Sequence, residues 1–289
     1  MKIAVVTDSN SGITQKEADN YENLRVIPMP FTINEEEYFE DINLSQEEFY
    51  KKLLDENASI STSQPSIGAI TELWDELLKS FDEIIHIPMS SGLSMSCETA
   101  TNFAKEYNGK VHVINNRRIS VTQKQSVYDA LKLAGEGKNG SEIEKILMDT
   151  SMDSSIYIMV STLKYLKRGG RVTPAAAAIG TLLKIKPVLQ IQGGKLDQFA
   201  KVMNEKVARI KMIEAAKRDL EERFKDLYKK GEMRLAVAYT NCPEKGADFA
   251  EEIKKAIPDV EIIAIDPLSL SVSCHIGSGA LAIALSRAI

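Results

Sequence analysis

Residues 60–81 read I-S-T-S-Q-P-S-I-G-A-I-T-E-L-W-D-E-L-L-K-S-F. The first part gathers Ser61, Thr62, Ser63 and Ser66 around Pro65. The second places Ile67, Ile70, Leu73, Trp74, Leu77, Leu78 and Phe81 at the i, i+3, i+4, i+7 spacing of an amphipathic helix. Pro65 suits the first turn, and Ser63 or Ser66 supplies the cap. A helix start carries free backbone N–H groups and the positive end of the dipole, so it favours an anion, and the neighbouring hydroxyls add donors without adding charge. On this stretch alone the plainer reading, a capped surface helix that binds nothing, is preferred.

Working outward, Ile84–Ile87 is a strand that enters Pro88-Met89-Ser90-Ser91-Gly92-Leu93-Ser94-Met95-Ser96. A helix then carries Ala100, Phe103, Ala104 and Tyr107 on one face. This repeats the hydroxyl-rich entry to a helix. Toward the N-terminus, Ile3–Val6 is a buried strand followed by the polar turn Thr7-Asp8-Ser9-Asn10-Ser11-Gly12. Asp8 either faces a site at the strand's carboxyl end or caps the next helix with Ser9, and the cap is preferred. Val26–Ile33 is an irregular strand broken by Pro28 and Pro30, and Ser45–Glu48 is a capping box opening a helix through about Leu54. Val111–Ile114 is a strand, Ser120–Ala134 a helix, and Ser141-Glu142-Ile143-Glu144 a further capping box. Strands alternating with helices of this length predict an α/β fold with a mainly parallel sheet.

A length of 289 residues fits two lobes, 1–155 and 156–289. In the second, Ile156–Val160 is a strand and Lys167-Arg168-Gly169-Gly170-Arg171 a basic glycine turn. Ala175–Leu183 reads as an apolar helix and Val188–Ile191 as a strand before a hairpin at Gly193-Gly194. Glu205–Lys230 reads as one long helix, Leu235–Tyr239 and Ile262–Ile265 as strands, and Ala280–Leu285 as a closing apolar helix. At 44% hydrophobic and 27% charged residues the chain is globular, and a net charge of −5 argues against nucleic acid. No signal peptide precedes Ile3, and no run reaches the roughly 20 apolar residues of a membrane span. Cys97, Cys242 and Cys274 show no zinc spacing. A reduced, cytoplasmic protein is expected.

Three stretches share one character: Ser61–Ser66, Ser90–Ser96 and Ser269–Gly279 are each rich in hydroxyls and each is expected to precede a helix. Brought together, they would make a neutral site rich in donors, suited to a carboxylate or phosphate rather than a metal. His86 and His112 fall inside strand-like runs and read as core histidines. His275 lies among glycines, where it can donate to an anion or act as an acid or base. Ser94 with His275 and Asp8 or Asp266 would be a triad, but Gly92–Ser96 is not the nucleophile elbow. Gly277-Ser278-Gly279 is too short for a dinucleotide fingerprint, and there is no Walker loop.

In order along the chain, Thr7-Asp8-Ser9, Thr62–Ser66, Ser90–Ser94, Leu166–Arg171 and His275–Ala280 make it similar to the DegV family, bacterial fatty-acid-binding proteins that serve as a component of fatty acid kinase. The resemblance implies two α/β lobes, each with a mainly parallel sheet flanked by helices and with a long-chain fatty acid buried between them. It implies a carboxylate held by Thr62, by Ser94 and its loop amides at Met95, and by His275, with Ser61, Ser63, Ser91 and Gly277 in support. Arg171 would sit at the pocket mouth, toward a kinase partner or the acyl phosphate. It implies no catalytic residue, no metal and no cofactor. A separate ATP-dependent kinase subunit would be the partner, and the acyl phosphate would feed phospholipid synthesis. Membrane contact would be transient at most. The chain departs from the family at Met95 and Ser96, where glycine then threonine are usual, and at Ser278, where proline is. Met95 would narrow the pocket or re-aim the loop. Phe31, Ala176–Ile179 and Leu182 are candidate tunnel residues. A serine-type acyl hydrolase and a regulatory module with a structural lipid are the alternatives.

Overall fold

The computed structural model describes residues 1–40, 42–53, 58–178 and 185–289. The first part of the chain lays down β1 (Ile3–Asp8), β2 (Leu24–Ile27), β3 (Pro30–Ile33), β4 (Glu36–Phe39), β5 (Ile60–Thr62), β6 (Glu83–Ile87) and β7 (Val111–Val113). The second adds β8 (Ser154–Met159), β9 (Lys186–Ile191), β10 (Asp197–Val202), β11 (Met233–Tyr239), β12 (Ile262–Pro267) and β13 (Leu281–Arg287).

The first sheet, in order β2-β1-β6-β7, is parallel throughout. Every residue of β1 is buried because both faces are covered. Ile3 and Val5 point to one face, against Val127 and Ala130 of helix Val121–Gly135 and Ile143 of helix Gly140–Asp149. Ala4 and Val6 point to the other, against Ile70, Trp74 and Leu77 of helix Ile67–Leu77 and Ala100 of helix Ser96–Ala104. The amphipathic stripe read from residues 67–81 is therefore a core face. His86 is buried edge-on to Trp74, and desolvation pulls its pKa down to about 3. His112 bonds Glu144 at 2.8 Å. Both are structural, as expected. A small antiparallel sheet, β4-β3-β5, packs Phe31 and Ile33 on Phe49 and Tyr50 of helix Gln46–Leu53 and on Leu270 and Cys274.

The second sheet runs β10-β9-β8-β13-β11-β12. Only β11–β12 is parallel, and its other four pairings are antiparallel, so this lobe is not mainly parallel as expected. The α/β layering stands, but the direction of the strands differs for two reasons. The turn at Gly193-Gly194 makes β9 and β10 a hairpin, and the last segment enters the sheet centre as β13. The closing helix expected over 280–285 is thus strand from Leu281 on. Leu281, Ile283 and Leu285 pack with Leu235 and Val237 toward helices Glu205–Arg218 and Pro243–Ala256. Ala282 and Ala284, with Ala236 and Ala238, face the first lobe. With both faces covered, no polar residue betrays the period, and a short apolar run reads equally as strand or helix.

Other boundaries shift locally. Val26–Ile33 divides at Pro28 into β2 and β3, which join different sheets. The helix expected over Glu205–Lys230 is interrupted by a π-helical turn at Asp219–Arg223. The capping box pairs Asn139 with Glu142 rather than starting at Ser141. The basic turn is a short helix, Lys164–Gly169, closed by left-handed Gly170. Helix Pro174–Ala177 begins the expected 175–183 helix, whose remainder from Ile179, like the expected end at Leu54, lies outside the described residues. All three cysteines are free and buried. No described helix is long and apolar enough to cross a membrane.

Candidate functional site

Thr62 ends β5, where its residue pairs with Phe31 of β3. The segment then turns through Ser63, whose N–H donates to Pro30 O at 3.1 Å, and Ser66 caps helix Ile67–Leu77 by accepting from Ala69 N at 3.1 Å. Gln64 is tied across to the next unit, its Oε1 accepting from Thr99 Oγ1 at 3.1 Å. From the opposite end of the chain comes helix Leu270–Ile276. The stretch expected to be a loop ahead of a helix is itself helical, and His275 occupies its last turn. Three anchors fix this helix. Ser269 caps it, Glu40 accepts from Leu270 N at 2.8 Å, and Tyr50 bonds Ser273 at 2.9 Å between hydroxyls. Thr62 Oγ1 and His275 Nε2 consequently meet at 2.8 Å although 213 residues apart.

The His275 ring rests on Gly169. A Cβ there would lie 2.2 Å from Nδ1, so the glycine of the basic turn is a steric requirement of this geometry. Gly277 has φ +79, and a Cβ would meet the Tyr165 ring at 2.7 Å. Burial, helped by the nearby Arg171 cation, pulls the His275 pKa down to about 4. The imidazole is therefore neutral near pH 7, with one N–H and one lone pair. Arg171 itself is folded back to donate to Gly169 O.

The loop after β6 is stitched together by Ser90. Its carbonyl accepts from Leu93 N and Ser94 N, and its hydroxyl from Gly92 N. A Cβ on Gly92 would lie 3.0 Å from Gly194 Cα, so the loop abuts the β9–β10 hairpin of the other lobe. Ser94 Oγ accepts from Ser96 N at 3.2 Å. Its hydroxyl hydrogen is left free to donate elsewhere.

Between these parts lies a cavity of about 290 Å³. Thr62, Ser63, Gln64, Ser94, Met95, Arg171 and His275 contribute to its wall. The body is apolar: Met29, Met89, Leu93, Ile119, Val121, Ile156, Ile158, Ile191 and Leu268 line it, with Ala238, Ala282 and Ala284 from the second sheet. The small alanines of the inward strand face leave the space that leucines would fill. A size near 300 Å³, apolar walls and a few polar groups are typical of a small-molecule site.

The structure brings together Thr62, Ser63, Ser94, Met95, Arg171 and His275. Met95 contributes to the cavity lining and is 61% exposed, so it stands on the rim rather than in the interior. Ser61 instead bonds Thr32 and borders a second, polar cavity of about 260 Å³ that shares Thr62, Arg171 and His275. Ser91 faces outward to Asn115, and Gly277 acts through the turn after His275 rather than on the cavity wall. Phe31 belongs to the core under β3 and Ala176 is buried outside the lining. Ile179 and Leu182 are outside the described residues. Sequence reading missed Asn10, Gln64, Ser120 and Ser271 in the wall, together with the alanine face. The alternation A-V-A at 236–238 and A-I-A at 282–284 carried that signal.

No triad forms. His275 Nε2 engages Thr62, Asp266 pairs with Lys124 at 3.0 Å, and Asp8 is enclosed elsewhere. Asp8 caps the turn at Ser9–Ser11 and accepts from Met89 N at 2.8 Å and Gln123 Nε2 at 3.2 Å, with burial raising its pKa to about 6. No cluster of three metal-ligating side chains exists among the described residues.

Fold and site define a two-lobed α/β protein enclosing an amphipathic cavity. A family model described as "Uncharacterised protein, DegV family" matches residues 2–288. Protein DegV of Bacillus subtilis is 34% identical over 288 residues, covering 98% of each chain. The chain belongs to the DegV family. Among solved structures, a DegV family protein from Thermus thermophilus, described as binding fatty acid, superposes with a TM-score of 0.89 at 27% identity over 99% of this chain and 100% of that one. DegV from Bacillus subtilis, described as a fatty acid binding protein, gives 0.82 at 33% identity over 99% of both.

Proposed function

We propose that this protein binds a long-chain fatty acid in the cavity between lobes 1–155 and 156–289, with the carboxylate at Thr62, Ser94, the Met95 loop and His275. The observation that carries this reading is the Thr62–His275 hydrogen bond on the wall of an apolar cavity. A carboxylate accepts only, so it needs donors. In the Nε2–H tautomer, neutral His275 donates to Thr62 Oγ1, which leaves the threonine hydrogen for the ligand. Ser94, whose oxygen already accepts from Ser96 N, offers a second hydroxyl. Arg171, currently held by Gly169 O, adds a cation beside them. Charge-assisted bonds of this kind offset the cost of removing a carboxylate from water. The acyl chain supplies affinity at about 0.8 kcal/mol per buried methylene, hence on the order of 10 kcal/mol for a dozen before association costs.

With Nε2 protonated His275 is no base toward Thr62, and among the described residues no carboxylate bonds the imidazole to orient it as one; the protein acts as a carrier in the cytoplasm. It presents the acid to a separate ATP-dependent kinase subunit, Arg171 facing that partner or the acyl phosphate, and the product feeds phospholipid synthesis. The test is reconstitution. The fatty-acid-loaded protein is mixed with ATP and a fatty acid kinase subunit from a bacterium that has one, and acyl phosphate is trapped with hydroxylamine. Hydroxamate formed only with both proteins supports the reading. Bound acid with no hydroxamate from any kinase tried removes the kinase step while leaving the carrier.

A further inference from the structure

We propose that Asn10, Ser120 and Ser271 form a second polar subsite within the cavity, which selects an acyl chain bearing an internal neutral hydrogen-bonding group such as a hydroxyl. The inference rests on the fatty acid reading above. All three side chains line the same cavity, and each is more than nine-tenths buried, at 2%, 6% and 5% exposed. They come from three distant segments: the turn after β1, the start of helix Val121–Gly135 and helix Leu270–Ile276. Asn10 is the hub. Its Oδ1 accepts from Ser271 Oγ and, at 3.3 Å, from Ser269 Oγ, and its carbonyl accepts from Ser120 N at 2.9 Å.

The cluster is incompletely satisfied. The Asn10 amide has two N–H donors; one meets Met89 Sδ at 3.0 Å, a weak acceptor, and the other meets no acceptor among the described residues. The Ser120 hydroxyl has no side-chain or backbone partner among the described residues. Ser120 is also held at φ 55, ψ −139, a backbone conformation rare for any residue but glycine. A plain alkyl chain would leave these donors facing hydrocarbon, whereas a hydroxyl on the ligand both donates and accepts and would complete them. The cluster is not suited to a second anion, because the Asp8 carboxyl lies directly behind it, 3.0 Å from Asn10 N. Ser271 precedes His275 by four residues on one helix, which places this subsite on the order of 6 Å along the helix axis from the headgroup site.

The test compares stearic acid with hydroxystearic acids carrying the hydroxyl at successive internal positions, each titrated into the delipidated full-length protein. The expected result is one regioisomer that binds at least as tightly as stearate, with the others about tenfold weaker. In Ser120→Ala and Ser271→Ala the affinity of that isomer relative to stearate should drop about tenfold. Ser120→Gly, free of the backbone strain, should show the same drop. Stearate binding tenfold better than every regioisomer overturns the subsite, as does a preference that survives all three substitutions. Failure of every acid, stearate included, instead overturns the fatty acid reading and the inference with it.

Discussion

Ala284→Leu tests whether the alanine face of the second sheet makes the room for the acyl chain. Ala284 lies on β13, opposite Ile156 of β8 and Ala236 of β11, with its Cβ toward the cavity. Leucine adds three carbons at that wall and leaves the backbone pairing of β13 intact. Those carbons occupy space for roughly three ligand methylenes, worth about 0.8 kcal/mol each. The loss of about 2.4 kcal/mol corresponds to a roughly 50-fold weaker Kd for an acid that fills the cavity. Titration with saturated acids of graded length, beside a thermal melt to verify folding, reads this out. The expected pattern is a large loss for the longest acids that shrinks as the chain shortens, moving the preferred length downward. An equal loss at every length, or none with a folded protein, would refute the reasoning, because the alanines would then not border the chain.

Thr62→Ala removes the hydroxyl bonded to His275, which the proposed reading places on the carboxylate, and should weaken fatty acid binding about 5- to 15-fold, on the order of 1–1.5 kcal/mol, without shifting length preference. Gly169→Ala drives a methyl into the His275 ring and should weaken binding as much as His275→Ala does; calorimetric titration of both variants checks that equality. The pH response follows from the depressed His275 pKa. Between about pH 6.5 and 4 the unfolded chain takes up a proton that folded His275 refuses, so stability falls as pH falls through that window, by at most about 3 kcal/mol. Asp8, whose pKa is raised, works in the opposite direction from about pH 6 down, so total stability does not isolate the histidine. The measurable quantity is the difference between wild type and His275→Gln in urea unfolding, and it should shrink from pH 6.5 to pH 4.

Much of the first lobe was legible because its signals are local. Ser66, Pro65 and the 67–81 stripe specify a capped helix, and Ile3–Val6 and Ile84–Ile87 are short runs rich in β-branched residues, each followed by a polar turn, which favours strands. Of the antiparallel character of the second sheet only the hairpin at Gly193-Gly194 was legible, and the rest was not. It depends on where β13 inserts, a long-range fact, and Leu281–Leu285 lacks polar residues to reveal its period. His275 was identifiable as unusual among glycines, but its placement in a helix and its bond to Thr62 depend on Glu40 and Tyr50, far off in sequence. Asn10 and Ser120 gave no warning, since Asn10 read as an ordinary turn residue and Ser120 as the first residue of a helix, and only the closing of the lobes turns them into cavity wall.

The central claim, that the cavity carries a fatty acid with its carboxylate at Thr62, Ser94 and His275, is tested most directly by denaturing extraction of the freshly purified protein and mass spectrometry of the organic phase. The account predicts a near-stoichiometric fatty acid in the wild-type extract and a depleted one from Thr62→Ala. A folded wild-type protein that yields no fatty acid and also refuses added stearate would contradict it.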